Sequence, residues 1–393
     1  MRDIGTIRMP QAVHYGRGSI EKLAEEASKL GERALIISDK AMDEIGYVDK
    51  IKALLDESAI VSLVNLSVDS ETKDTHVAEA LAQYQEEKCD FIVAIGGGSC
   101  IDAAKAVAVR VNNKEALMEY LEGATINVNP VPVIAIPTTA GTGSEVTDAF
   151  VVTNTELNIK MMIKQPVITP HLAIVDPELT VSAPRSLTVA TGIDALSHGI
   201  EAFISRQAHS FTNDIALTAI KLIMENIRTV YEDGTNIEAR ANMSLASMQA
   251  GVAFSNSSVA LVHGMSRPIG ALFNIPHGIS NAMLLAPVLE FSLADCEAEL
   301  AIIGRNVNHS LIDKSDEEAA SQFIQDIKQL CFDLEIPSLE AWGVDESKFM
   351  QSLDKMATDA LASGSPGNNP RTPTKEEIIN LYKICYSYNY TSR

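Results

Sequence analysis

Two short stretches concentrate the residue types that hold divalent cations. TGIDALSHGIEAF carries Asp194 and His198, and VHGMSRPIGALFNIPHGISNAML carries His263 and His277. Asp194 and His198 are spaced i, i+4, so on a helix both side chains leave one face, about one turn apart. One carboxylate and three imidazoles form an oxygen and nitrogen donor set suited to a borderline cation such as Fe²⁺ or Zn²⁺, with no thiolate among them. The competing reading is an ordinary satisfied polar contact, which is what a helical Asp/His pair by itself usually is. The second block argues against that reading, because Gly264 and Gly278 follow its two histidines and let backbone pack closely behind a ligand. Glu201, one turn beyond His198, is read either as an acceptor orienting that imidazole or as a solvated charge.

A second kind of chemistry is written in two glycine-rich turns. Gly96-Gly97-Gly98-Ser99 follows the apolar run FIVAI, and Pro137–Ser144 (PTTAGTGS) follows VIAI. After a buried strand, such a turn lets backbone N–H groups approach a phosphate, and the following helix N-terminus adds a favourable dipole. The first turn is not a complete G-x-G-x-x-G, since Ile101 occupies the last glycine position and no acidic residue follows about 20 positions later. Asp102 lies too close for that role. Asp39, after the run ALIIS, is placed to accept ribose hydroxyls and to repel a 2′-phosphate, favouring NAD over NADP; the plain alternative is that it caps the next helix.

These groups need elements to hold them. Apolar runs at Ala34–Ser38, Ile60–Leu63, Phe91–Ile95 and Val133–Ile136 alternate with amphipathic stretches such as Ile51–Glu57 and Thr75–Glu87. Short, continuously apolar strands between helices predict a parallel sheet covered on both faces. After Pro177 strand-like runs nearly vanish, and helical periodicity takes over at Asn213–Ile227, Glu238–Phe254 and Glu317–Leu334. Two domains follow: an α/β dinucleotide-binding domain over residues 1–183 and an all-α metal-binding domain over 184–393. Ser363–Pro373 is the clear late loop.

Composition narrows the partners. The 393 residues are 46% hydrophobic and 21% charged, which fits globular domains. A net charge of −21 excludes the basic surface that nucleic acid or an anionic membrane requires. Five scattered cysteines without paired spacing predict reduced thiols. With no apolar segment of signal or membrane-spanning type, a cytoplasmic protein is expected.

Five blocks together resemble the iron-containing (group III) alcohol dehydrogenase family: YGRGSIEKL, GGGSCIDAAKAVA at 96–108, IPTTAGTGSEVT at 136–147, VDPELTVSAPRSLTVATGIDALSHGIEAF at 175–203 and HGMSRPIGALFNIPHG at 263–278. The resemblance implies an architecture like that of dehydroquinate synthase, with a cleft between a dinucleotide-binding α/β domain and a helical metal-binding domain. It implies that Asp194, His198, His263 and His277 are the metal ligands and that Gly96, Gly97, Gly98 and Ser99 hold the pyrophosphate. Thr138, Thr139 and Thr142 would surround the phosphate and nicotinamide riboside, Asp39 would hold the adenosine ribose, Asp102 would line the cofactor site, and Lys160 would lie near ribose hydroxyls. The implied activity is hydride transfer between NAD(H) and a small alcohol or aldehyde at Fe²⁺ or Zn²⁺, in a homodimer.

One position departs from the family. Many members carry a further histidine one turn after the third ligand, where this chain has Arg267. An arginine cannot shuttle protons at neutral pH, but at i+4 from His263 it suits a carboxylate-bearing substrate. The favoured reading is plainer, an ion pair with Glu201 or Glu145. Competing functions are a cyclising lyase of the dehydroquinate synthase type, which needs more basic residues than Arg267 alone for a phosphorylated substrate, and a non-catalytic nucleotide sensor, which would go with a defective metal site. Glycerol-type dehydrogenases, by resemblance, lack the ligand that His277 supplies.

Overall fold

The computed structural model describes residues 5–69, 71–157 and 159–391. It divides into two compact units, one over Ile7–Ala183 and the other from Pro184 onward together with the N-terminal Gly5 and Thr6.

Six strands of the first unit form one parallel sheet: β1 (Ala12–Tyr15), β2 (Arg33–Asp39), β3 (Val61–Val68), β4 (Phe91–Gly96), β5 (Val133–Pro137) and β8 (Leu172–Val175), in the order β1-β8-β5-β4-β2-β3. Side-chain alternation explains why both faces are buried. On one face Leu35, Ile37, Ile92, Ala94, Val133 and Ala135 join a core with residues of α4 (Asp74–Glu86) and α5 (Gly98–Asn112). On the other, Ala34, Ile36, Phe91, Val93, Ile95, Ile134 and Ile136 pack with residues of α1 (Lys22–Ala27) and α3 (Tyr47–Glu57). A strand covered on both sides cannot carry a polar face, which is why these runs read as continuously apolar. Between α1 and α3 lies the short α2 (Lys40–Glu44), and α6 (Leu117–Leu121) precedes β5.

The strand order places a topological switch between β2 and β4, since the chain leaves β2 toward β3 and leaves β4 toward β5 on the opposite side. The crevice beyond the carboxyl ends of such a strand pair is where open α/β sheets bind ligands. Asp39 ends β2 and Gly96 ends β4. Three elements escaped the sequence pattern: the edge strand β1, the strand β8, and the antiparallel hairpin of β6 (Ala149–Asn154) and β7 (Ile159–Lys164). The hairpin alternates buried and exposed residues, so it lacks the uniform apolar signal of the sheet.

From Pro184 onward the described residues contain helices and no strand. At their centre α7 (Arg185–Ile204) is buried over nearly all its length from Thr188 onward. It packs against α8 (Ser210–Glu232), α9 (Ile237–Asn256) and α11 (His277–Ser292), with α10 (Leu261–Phe273) leading into α11. No helix among the described residues is long and apolar enough to cross a membrane. The five cysteines are buried free thiols.

Candidate metal centre and nucleotide-binding loops

The metal centre begins with a polar stripe on a buried helix. Asp194, His198 and Glu201 stand at i, i+4 and i+7 of α7, hence on one face, and all three are buried. His263 comes from the first turn of α10, and His277 is the first residue of α11. Potential donor atoms of Asp194, His263 and His277 lie within 4.8 Å of one another. His263 Nε2 is 3.5 Å and His277 Nε2 3.8 Å from the same Asp194 Oδ1. The His198 ring stacks between Phe254 and His263, with centroid separations of 4.2 and 4.4 Å. It therefore borders the three-residue cluster.

Glu201 has a different role from either sequence reading. It is neither solvated nor the orienter of His198: it is 1% exposed, and its Oε2 lies 2.5 Å from His263 Nδ1. Its other oxygen accepts the backbone N–H of Val262 at 2.6 Å, in the first turn of α10. That N–H has no intrahelical partner, so one carboxylate caps the helix and orients its histidine. With the proton held at Nδ1 by Glu201, the Nε2 lone pair is left for a ligand.

Electrostatics support positive charge at this point. Burial alone would push the His263 imidazole down, but Glu201 and Asp194 on either side overcome it and raise it to about 9. Burial would likewise push Asp194 up, yet the imidazoles of His198, His277 and His263 hold it well below the usual carboxylate range. His277, though its side chain is 45% exposed, is shifted the other way, by partial loss of hydration together with the positive neighbours His263, His198 and Arg267, against the opposing pull of Asp194. A neutral imidazole is the form that ligates a metal.

Asn281, absent from the sequence reading, stands inside the cluster. Its Nδ2 lies 2.6 Å from Asp194 Oδ1, 3.1 Å from His263 Nε2 and 3.3 Å from His277 Nε2, while its Oδ1 is buried without a hydrogen-bond partner. Three acceptors converging on one donor group is a geometry that a cation also satisfies. The available signal was its i+4 spacing from His277. Gly278 has a packing reason to be glycine, since a Cβ there would collide with the backbone carbonyl of Ala190 on α7.

Arg267 donates from Nη1 to Ser365 Oγ at 3.2 Å. Burial lowers its guanidinium pKa, with Glu201 opposing as a charged neighbour, and its own charge reaches His277. Glu145, the other suggested partner, is buried in the α/β unit beside Lys105 and is raised to about 7 by that burial.

In the α/β unit the two glycine-rich turns pack against each other. Gly96 has φ +147°, a conformation that disfavours any side chain, and its carbonyl accepts the Thr138 N–H at 2.9 Å. A Cβ on Gly98 would stand 2.8 Å from the Thr142 methyl, so this glycine permits the close approach of the two loops. Gly97 is the N-cap of α5, and Gly97, Gly98, Ser99, Thr139 and Thr142 all keep partial exposure, whereas Thr138 is buried. Asp39 does cap α2, its Oδ1 accepting the Met42 N–H at 2.9 Å. Its Oδ2 lies 3.5 Å from Cys100 Sγ, at the glycine turn, so the capping and turn-facing roles fall to separate oxygens.

Of the last two expected residues, Asp102 reaches the second turn through Ser144, and Lys160 stands apart from both turns. Asp102 accepts from Ser144 Oγ and from the Val151 N–H. Lys160, on the hairpin, pairs with Glu71 at 2.7 Å.

Comparison with known proteins matches residues 10–177 to the family model for iron-containing alcohol dehydrogenase, and residues 188–386 to the C-terminal model of the same family. The 1,3-propanediol dehydrogenase of Klebsiella pneumoniae is 37% identical over 383 residues, covering 96% of this chain and 98% of that protein. A solved 1,3-propanediol oxidoreductase superposes with a TM-score of 0.94 at 35% identity, over 98% of this chain and 100% of the other. Sulfoacetaldehyde reductase from Bifidobacterium kashiwanohense, solved in complex with NAD⁺, gives a TM-score of 0.87 at 27% identity, over 99% and 100%.

Proposed function

Since this chain belongs to the iron-containing alcohol dehydrogenase family, we propose that it is a metal-dependent, NAD(H)-linked dehydrogenase of small primary alcohols that also reduces the matching aldehydes. The observation that carries this reading is the convergence of Asp194, His263 and His277, with Glu201 holding the His263 tautomer. These donors fit the implied cation: one hard carboxylate oxygen and imidazole nitrogens, with Asp194, His198 and His263 buried and His277 half-exposed. Asp194, His198, His263 and His277 would hold it.

When bound, a divalent cation supplies Lewis-acid polarisation of an alcohol or carbonyl oxygen, and nicotinamide supplies the hydride acceptor or donor. The chain's own work is placement. Glu201 keeps the Nδ1 proton of His263 away from the ligating side, and Asp194 supplies charge that offsets the cation. The apolar body of α7 withholds water from both carboxylates. In the α/β unit the partly exposed residues Gly97, Gly98 and Ser99 would face the pyrophosphate with their backbone, with Thr138, Thr139 and Thr142 beside it and Asp102 behind. Asp39, at the switch point, would take the adenosine ribose and disfavour a 2′-phosphate, and Lys160 would reach ribose hydroxyls.

Arg267 supports a finer substrate class, an alcohol or aldehyde that also bears a carboxylate. It lies one turn from His263, is anchored by Ser365, and is charged at every physiological pH. A relative named for sulfoacetaldehyde, an anionic aldehyde, supports the same direction.

The test is a metal-depleted preparation reconstituted with Fe²⁺ or Zn²⁺ and assayed by NADH absorbance in both directions, with NADPH in parallel. His263→Ala should lose bound metal and turnover while keeping NADH binding. Turnover retained by metal-free His263→Ala refutes the assignment.

A further inference from the structure

Lys105 is a charged residue on a buried face of α5 that it shares with Asp102, 1% exposed, and no role above uses it. Burying an ammonium is costly unless its donors are matched, and here they are over-matched. Nζ lies 3.1 Å from Ser144 Oγ, 3.0 Å from Thr147 O, 3.0 Å from Thr147 Oγ1 and 2.8 Å from Ala149 O. Asp102, three residues earlier on the same face, accepts from Ser144 Oγ and from the Val151 N–H at 2.8 Å. The Ser144 hydroxyl thus bridges the two charges. From there the connection runs to the glycine turn: the Ser144 N–H donates to Thr142 Oγ1 at 3.2 Å, and Thr142 is the side chain against which Gly98 lies.

We propose that Lys105 is a positioning residue of the nucleotide site, its ammonium and the Asp102 carboxylate together locking residues 142–151 against the Gly96–Ser99 turn in the register that diphosphate binding requires. A methionine would fill the same volume without the cost of desolvating a charge. It would not supply the cross-link among residues 144, 147 and 149. Each end of the clamp is anchored on α5, the helix whose N-terminus carries Gly98 and Ser99, so the loop moves with the turn it serves. The carboxylates of Asp102, Glu145 and Asp148 supply the counter-charge that keeps the buried ammonium protonated near neutrality, although burial lowers it to about 8.

The inference rests on the loops contacting the pyrophosphate, and the experiment separates the two. Binding of NADH, ADP and adenosine is measured by fluorescence and calorimetry for the wild-type protein and Lys105→Met. Adenosine lacks the diphosphate, so it reports on the rest of the site. Lys105→Met should bind NADH and ADP at least tenfold more weakly, with adenosine affinity and metal content unchanged. Should that variant fold poorly, Ser144→Ala removes only the bridging hydroxyl and should weaken ADP about threefold, again sparing adenosine. Unchanged ADP affinity in a folded variant, or equal losses for ADP and adenosine, overturns the role of Lys105. A wild-type protein that binds ADP no better than adenosine overturns the loop assignment, and the proposal with it.

Discussion

Glu201→Gln is nearly isosteric, yet it should be damaging because both of Glu201's partners are donors. The carboxylate accepts from the Val262 N–H at 2.6 Å with one oxygen and faces His263 Nδ1 at 2.5 Å with the other. An amide has one acceptor oxygen and one donor NH₂. If the oxygen stays on Val262, the NH₂ meets His263 Nδ1, which then accepts, and the ring proton moves to Nε2, the atom needed for a cation. If the amide turns over, two donors oppose each other at the first turn of α10. Either way one charge-assisted bond in a buried site is lost, at about 1.5–3 kcal/mol. Loss of a partner that orients a metal ligand typically weakens metal binding about 10–100-fold, or roughly 1.4–2.7 kcal/mol, so the two scales agree. Chelator competition with Zn²⁺ or Co²⁺ measures the affinity, and urea unfolding with the metal chelated measures the cap. An affinity within about threefold of wild type, in a folded Glu201→Gln protein, would refute the tautomer argument.

Arg267→His should lower kcat/KM for an ω-carboxylate alcohol by about tenfold or more, the worth of one charge-assisted contact, and leave the matching neutral alcohol little changed; equal effects on both would remove anion recognition. Gly278→Ala should destabilise the helical unit by about 2 kcal/mol or more, as overpacking against backbone does, because a Cβ would collide with the Ala190 carbonyl; an unaltered urea midpoint would contradict this. Burial raises Glu145 from 4.5 to about 7, so the folded state binds the extra proton, and this contribution to stability is full below pH 4.5 and lost as pH rises through 7. Comparing urea midpoints of wild type and Glu145→Gln from pH 4.5 to 8 should show the wild type losing stability relative to the variant; parallel curves would count against the shift.

The sheet was legible because its strands are buried on both faces. ALIIS, FIVAI and VIAI had to be continuously apolar to feed two cores at once, and they became β2, β4 and β5. The edge strand β1 and the β6–β7 hairpin are half-covered, so their patterns resembled loop. Asp194, His263 and His277 were likewise visible as candidates, because the chain has only eight histidines and three of them fall with Asp194 in two short blocks. Glu201 was visible as a residue but was matched to the wrong histidine. Helical spacing relates it to His198 on its own helix, whereas its carboxylate turns to α10.

By itself, then, the sequence determined the alternation of strand and helix, the later helical run, the glycine turns and the chemical types of the donors, all of which depend on local pattern. Only the tertiary structure decided which groups meet: Glu201 with His263, Asn281 with three acceptors, Lys105 with residues 144–149, and Arg267 with Ser365, 98 positions away in the chain. Those pairings are set by how helices cross and loops return, and neither leaves a period in the sequence.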